Sequence, residues 1–313
     1  MPGFFALFLL AAIRLSPAGE MLRLRLGLSR APSALPVLRL IESGALADMA
    51  EIETDLWTGP EQLLALVQGG EHQLFTLPLT LAARLLAKGV KLRLTNVNTW
   101  GGIALLATDP GIGGWTDLRG KTVYAPSPAS PPGTLLRHFL GRAGLTPGRD
   151  VEIVTAAAAE TTQLLSLGRI GLAVLLEPQI TAALAGNPAL RVVADFEDEW
   201  RRERGAGADL PSLGFGGLAA FIDAKPEFVR RFEEEYAAAL AWTLAHPAEA
   251  GRLAARHLGL RGDLVEMAVP RLGLRYRTAA DAAGEVNAYL RILGVPADPS
   301  GGGGMPDEAF YRR

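Results

Sequence analysis

Two distant stretches of the chain carry the same succession of residues, and few architectures accommodate such a pair. Glu61–Leu85 ("EQLLALVQGGEHQLFTLPLTLAARL") and Thr162–Leu184 ("TQLLSLGRIGLAVLLEPQITAAL") share one order. Each runs from a Gln-Leu-Leu helical pattern through a glycine turn into an apolar strand, then a proline, a threonine and an alanine-rich helix. The run Leu172–Leu176 has no polar alternation, which is the mark of a strand covered on both faces. A helix–strand–helix unit used twice predicts two α/β lobes of one architecture. A chain of 313 residues also exceeds what one core comfortably reaches, roughly 250 to 300 residues.

The intervening pattern supports parallel sheets covered by helices. Leu22–Leu28 alternates apolar and basic residues, "GLSRAPS" breaks it, and Leu35–Ile41 takes up helical spacing. Ala50–Trp57 reads as a strand, Pro60–Val67 as a helix and Gln73–Leu77 as a strand ending at Pro78. The formal charge of -2 and pI near 6.1 provide no basic excess for a phosphate backbone, so nucleic acid is not an expected partner. The chain has no cysteine, which excludes disulfides, thiolate chemistry and attachment of a lipid anchor through cysteine.

Phe4–Ile13 is a ten-residue apolar stretch, too short to span a bilayer but the right length for the core of a secretory signal. Ser16-Pro17-Ala18 supplies small residues for a peptidase, so residues 1–18 are expected to be a signal peptide cleaved before Gly19. No Lys or Arg precedes that stretch, an unusual feature for such a leader. The expected location is the periplasm.

Several motifs, taken in order, resemble the solute-binding proteins of ABC importers, of the nitrate, taurine, aliphatic-sulfonate and thiamine-pyrimidine type. They are "LRLGLSRAPSALPVLRLIE", Asp117-Leu118-Arg119-Gly120-Lys121, the helix opening at Gly133-Thr134, Glu177-Pro178, and Pro226-Glu227 with Pro247-Ala248-Glu249-Ala250. The resemblance runs from Leu22 to the end of the chain and implies a two-lobed periplasmic-binding-protein fold of type II. Each lobe would be a sheet flanked by helices, the two joined by two crossover segments. The implied division is 22–98 with 218–313 for the first lobe and 99–217 for the second. The crossings would fall near Asn96–Trp100 and Ser212–Gly217, with Gly214, Gly216 and Gly217 absorbing hinge motion. The implied partners are a small-molecule solute, anionic or heteroaromatic, and an ABC permease in the inner membrane. No cofactor or metal is implied.

In open α/β sheets ligands gather beyond the carboxyl ends of strands. Glu177 stands at such an end, and its counterpart in the first unit is the apolar Leu77, so the fold itself does not demand an acid there. A carboxylate at this place equally satisfies the free N–H groups of the helix that follows. The loops Ser29, Arg30, Ser33 and Ser130, Gly133, Thr134 can present N–H and hydroxyl groups to a polar guest, with Thr134 as a helix cap. Trp57, Phe75, Trp100 and Phe215 sit at strand ends or crossings and are candidates for packing against it. Catalytic signatures are weak. His72, His138, His246 and His257 fall singly, "GIGGWT" (Gly111–Thr116) lacks the spacing of a dinucleotide turn, and Asp195–Arg204 reads as a solvated charged face. The alternative is a cofactor-biosynthesis enzyme on the same bilobal fold.

Overall fold

A computed structural model describes residues 21–295 and 305–311, so the proposed signal segment lies outside the described residues. The strands are β1 (Leu22–Ser29), β2 (Ala50–Trp57), β3 (Leu74–Pro78), β4 (Leu92–Trp100), β5 (Ile103–Ala107), β6 (Thr122–Ala125), β7 (Glu152–Thr155), β8 (Leu172–Leu176), β9 (Arg191–Asp195), β10 (Pro211–Leu218) and β11 (Leu274–Thr278). The helices are α1 (Leu35–Glu42), α2 (Pro60–Gly69), α3 (Leu79–Ala87), α4 (Pro131–Arg142), α5 (Ala158–Ser166), α6 (Gln179–Gly186), α7 (Phe196–Arg204), α8 (Ala219–Ala224), α9 (Pro226–Ala245), α10 (Pro247–Leu258), α11 (Gly262–Ala268) and α12 (Ala279–Ile292).

Two mixed sheets form, ordered β11-β4-β10-β3-β1-β2 and β7-β6-β8-β5-β9. Apart from the edge strand β11, they share one plan. Three parallel strands are followed by an antiparallel strand and then by one that again runs with the first three. The repeated unit occupies matching places in that plan, as α2-β3-α3 in one sheet and α5-β8-α6 in the other.

Register fixes which ends face each other. Ser29 pairs with Trp57, Leu213 with Pro78 and Pro211 with Trp100, so the carboxyl ends of β1, β2, β3 and β4 lie together with the start of β10. In the second sheet Ile103 pairs with Leu176, Ala104 with Asp195 and Ala125 with Thr155, gathering the carboxyl ends of β6 to β9 with the start of β5. Both crossings therefore run between the two sheet edges at which these carboxyl ends gather. The first is Gly101-Gly102, with φ of 65° and 70°. The second runs through α7 and 205–210, and Gly101 N–H donates to Leu210 O at 2.7 Å, tying one crossing to the other.

The return to the six-stranded sheet begins at Pro211, so β10 is an inner strand of that sheet and a division at Gly217/Leu218 would detach it. Gly214, Gly216 and Gly217 also differ from the expected hinge. A Cβ there would collide with Asn96 O, Arg93 O and Gln73 O respectively, so these glycines let β10 lie close against its neighbours. At the crossings the positive φ values that only glycine adopts readily are at Gly101, Gly102 and Gly205 instead.

Candidate functional site

The loops that follow β1, β3, β6 and β8 all lie at the facing ends, where unpaired backbone groups and helix starts meet. Between the sheets, beside the first crossing, is a cavity of about 360 Å³ whose walls include Trp100, Ile103, Glu177, Asp195, Arg271 and Arg275. Two of the residues singled out from sequence, Trp100 and Glu177, share this cavity.

Glu177 follows β8 directly, and its N–H donates to Gly102 O at 3.0 Å, which anchors it to the crossing. One carboxylate oxygen accepts from Thr181 N–H at 3.1 Å. Burial pushes the carboxyl above its ordinary value, the Thr181 hydrogen bonds and the Arg271 charge pull the other way, and Asp195 adds to the rise. Asp195 caps α7, accepting from Glu197 N–H at 2.8 Å, and burial raises its carboxyl as well. Trp100 is fully buried, and its indole N–H donates to Arg275 O at 2.9 Å. The guanidinium groups of Arg277 and Arg275 lie 4.6 and 5.7 Å from its ring, within cation–π range.

The other candidates are dispersed. Ser29 and Ser33 are buried and hydrogen-bonded to each other at 2.9 Å, and Ser29 N–H donates to Thr76 Oγ1 at 2.6 Å. Arg30 donates through Nε to Leu258 O at 2.7 Å, which closes the end of α10. Ser130, not Thr134, caps α4. It accepts from Gly133 N–H at 3.4 Å, while Thr134 Oγ1 donates to Pro128 O at 3.1 Å. Gly133 is needed because a Cβ would run into Ser127 O. Together with Arg137 and Pro128 it lines a separate cavity of about 550 Å³.

Three aromatics lie away from the cavity. Trp57 is buried with its N–H toward Gly27 O at 3.3 Å. Phe75 is fully buried over Gly27, where a Cβ would meet its ring at 2.7 Å. Phe215 stacks on Phe232 at 5.0 Å and 15°, on the α9 side of the sheet. Phe75 and Phe215 are as fully buried as Trp100 but, unlike it, line no part of this cavity.

Sequence reasoning missed Arg271, Arg275 and the inward role of Asp195 and Glu197. The stretch Asp195–Arg204 is not a plain solvated face, since Trp200 is fully buried and Glu197 pairs with Arg275. Alternation in "LRYRT" was the available signal, because period two places Arg275 and Arg277 on one side of a strand. The Asp117–Lys121 motif builds a turn at the opposite end of β6. Asp117 accepts from Gly113 and Gly114 N–H, Arg119 pairs with Asp150 at 2.5 Å, and Lys121 pairs with Asp109. The histidines have local partners: His72 with Asp55 at 2.8 Å, His138 with Glu203 at 2.7 Å, His246 with Trp242 O at 2.9 Å and His257 with Glu42 at 3.7 Å. Among the described residues no group of His, Cys, Asp and Glu is arranged to hold a metal, and no helix is long and apolar enough to cross a membrane.

Two lobes with facing carboxyl ends, two crossings and a cavity between them define the bilobal fold of periplasmic binding proteins. The chain belongs to the family described as NMT1/THI5 like, whose model matches residues 92–250. Similar solved structures include an ABC transporter from Parabacteroides distasonis, at 24% identity and TM-score 0.77, covering 93% of this chain and 98% of that one. The periplasmic aliphatic sulphonate binding protein SsuA from Escherichia coli is 19% identical with TM-score 0.69, covering 88% and 94%. The periplasmic nitrate-binding protein NrtA from Synechocystis PCC 6803 is 13% identical with TM-score 0.66, covering 90% and 84%. No curated protein matches the chain.

Proposed function

We propose that this protein is the solute-binding component of an ABC import system, exported by its leader, which captures a small organic solute between its lobes and hands it to a membrane permease. The observation that carries the reading is the cavity at the crossing, where both sheets present their carboxyl ends and whose lining includes Trp100 and Glu177. The kinship with sulfonate- and nitrate-binding proteins supports the same role. The walls combine apolar side chains such as Ile103 and Ile180 with the charged Glu177, Asp195, Arg271 and Arg275, which would give a guest both apolar and polar contacts, and closure of the lobes would complete its enclosure.

A thermal-shift screen across sulfonates, nitrate, carboxylates, pyrimidines and flavin-like compounds tests this. A solute that binds only the folded state raises the melting temperature, by about 2.7 kcal/mol of stabilisation at one hundred times its dissociation constant. The hit should also compact the protein in small-angle scattering. A hit that leaves the scattering curve unchanged, or a mature protein retaining Met1 in the cytosol, would overturn the reading.

A further inference from the structure

The crossings are flanked by a cluster of ion pairs larger than a surface face requires. Its members come from both lobes and from the segment between them. Glu197 and Arg201 lie on α7, which follows the last strand of the five-stranded sheet, and Arg275 and Arg277 lie on β11 at the edge of the six-stranded sheet. Asp209 lies on the returning segment between them. Arg201 reaches Asp209 at 2.8 Å and Glu197 at 3.0 Å, and Arg275 reaches Asp209 at 3.1 Å. Arg275 also pairs directly with Glu197, and Arg277 with Asp209. Arg277 extends the chain to Glu285 on α12 at 3.1 Å.

Asp209 is the hub, since all three guanidinium groups converge on it. It is only 8% exposed, and Glu197 is nearly as enclosed, so water screens these pairs far less than those on the open surface. Burial alone would raise the Asp209 carboxyl, but Arg201, Arg275 and Arg277 hold it below its ordinary value. It is therefore ionised at neutral pH.

The backbone is shaped around this cluster. A Cβ at Gly101 would sit 2.8 Å from a Glu197 oxygen, so the first crossing passes directly over the pair. Gly273, at φ 65°, brings β11 against Trp100, whose N–H donates to Gly273 O at 2.9 Å. Two members of the cluster, Glu197 and Arg275, also form walls of the cavity, as does Trp100, over whose ring Arg275 and Arg277 lie. Any shift of β11 relative to α7 must break these pairs or carry the cavity wall with them.

We propose that Glu197 and Arg201 of α7, Asp209 of the returning segment, and Arg275 and Arg277 of β11 form an interlobe clasp that sets the angle between the lobes, and with it the shape of the cavity, with Asp209 as the positioning residue at its centre. The proposal rests on the reading of the molecule as a closing two-lobed receptor, but its test needs no solute. The absence of cysteine lets a spin-label pair be placed at Glu61→Cys and Ala129→Cys, exposed positions beside the facing ends of the two lobes. The label-to-label distance distribution is then recorded in the parent, in Asp209→Asn and in Arg277→Gln.

The expected result is a shifted or broadened distribution in both variants, with cooperative unfolding retained. The double variant should change it by less than the sum of the singles, because both remove the same pair. Distributions identical to the parent's, with only the melting temperature lowered, would overturn the clasp and leave a merely stabilising cluster. If Asp209→Asn does not fold, Arg277→Gln decides the matter, since its side chain is the more exposed. A clasp that fails this test leaves the solute screen untouched, and a screen without hits leaves the distances valid.

Discussion

Glu177 is a carboxylate held where its charged form is disfavoured, and the sign of that effect can be measured. Its raised value means the folded protein holds the proton more tightly than the unfolded chain does. Ionisation therefore costs stability as pH rises from the ordinary glutamate range through the folded value, and below that range the cost is absent. Glu177→Gln keeps an acceptor for Thr181 N–H and removes the charge. It should melt higher than the parent at about pH 7, with the gap closing toward about pH 4; a gap that stays constant across melts in that window would show that burial is not the cause. Trp100 behaves differently. With its ring fully enclosed, Trp100→Ala should cost about 3–5 kcal/mol of folding in a denaturant titration, and lost binding there could not be separated from lost structure. Glu177 was legible in the sequence because an acid interrupts an apolar run. Arg275 was not, because its partners Glu197 and Asp209 lie far from it in the chain and only the fold brings them together.

Elements whose pattern was local emerged with the bounds the sequence gives them. Ala50–Trp57 and Leu172–Leu176 form strands over those residues, one by alternation and one by an unbroken apolar run. β10 escaped such reading. "PSLGFGGL" is poor in strand-forming residues, and its conformation is imposed by β3 and β4 pairing on either side. Its glycines accordingly mark close approach, and this sets opposite expectations for one substitution at two places. Gly217→Ala should destabilise by about 1–3 kcal/mol, since the new methyl meets Gln73 O. Gly141→Ala, in α4 with open space around it, should stabilise by about 0.5–1 kcal/mol. Urea titrations of the pair check both, and equal effects would refute the assignment of β10 glycines to packing.

Across the whole molecule the two lobes are less separate than their sheets suggest. One apolar core takes side chains from both. Trp200, on α7, packs edge-on to Tyr289 of α12 at 6.3 Å, while Phe196 meets Phe139 of α4 at 5.3 Å. A core that continues across the crossings should couple the halves in unfolding. Calorimetry of the solute-free protein is expected to give one transition, and two resolved transitions would show that the shared core does not bind the lobes into one cooperative unit.

The placing of β10 also governs assembly in time. β4 meets β3 only through β10, so a chain that emerges from its amino end holds β1 to β4 without the strand that joins them. The strands of the five-stranded sheet, all within 103–195, are contiguous and complete before β10 is made. The middle of the sequence thus becomes able to complete its sheet before the amino-terminal part does, and β4 waits for a partner made more than a hundred residues downstream.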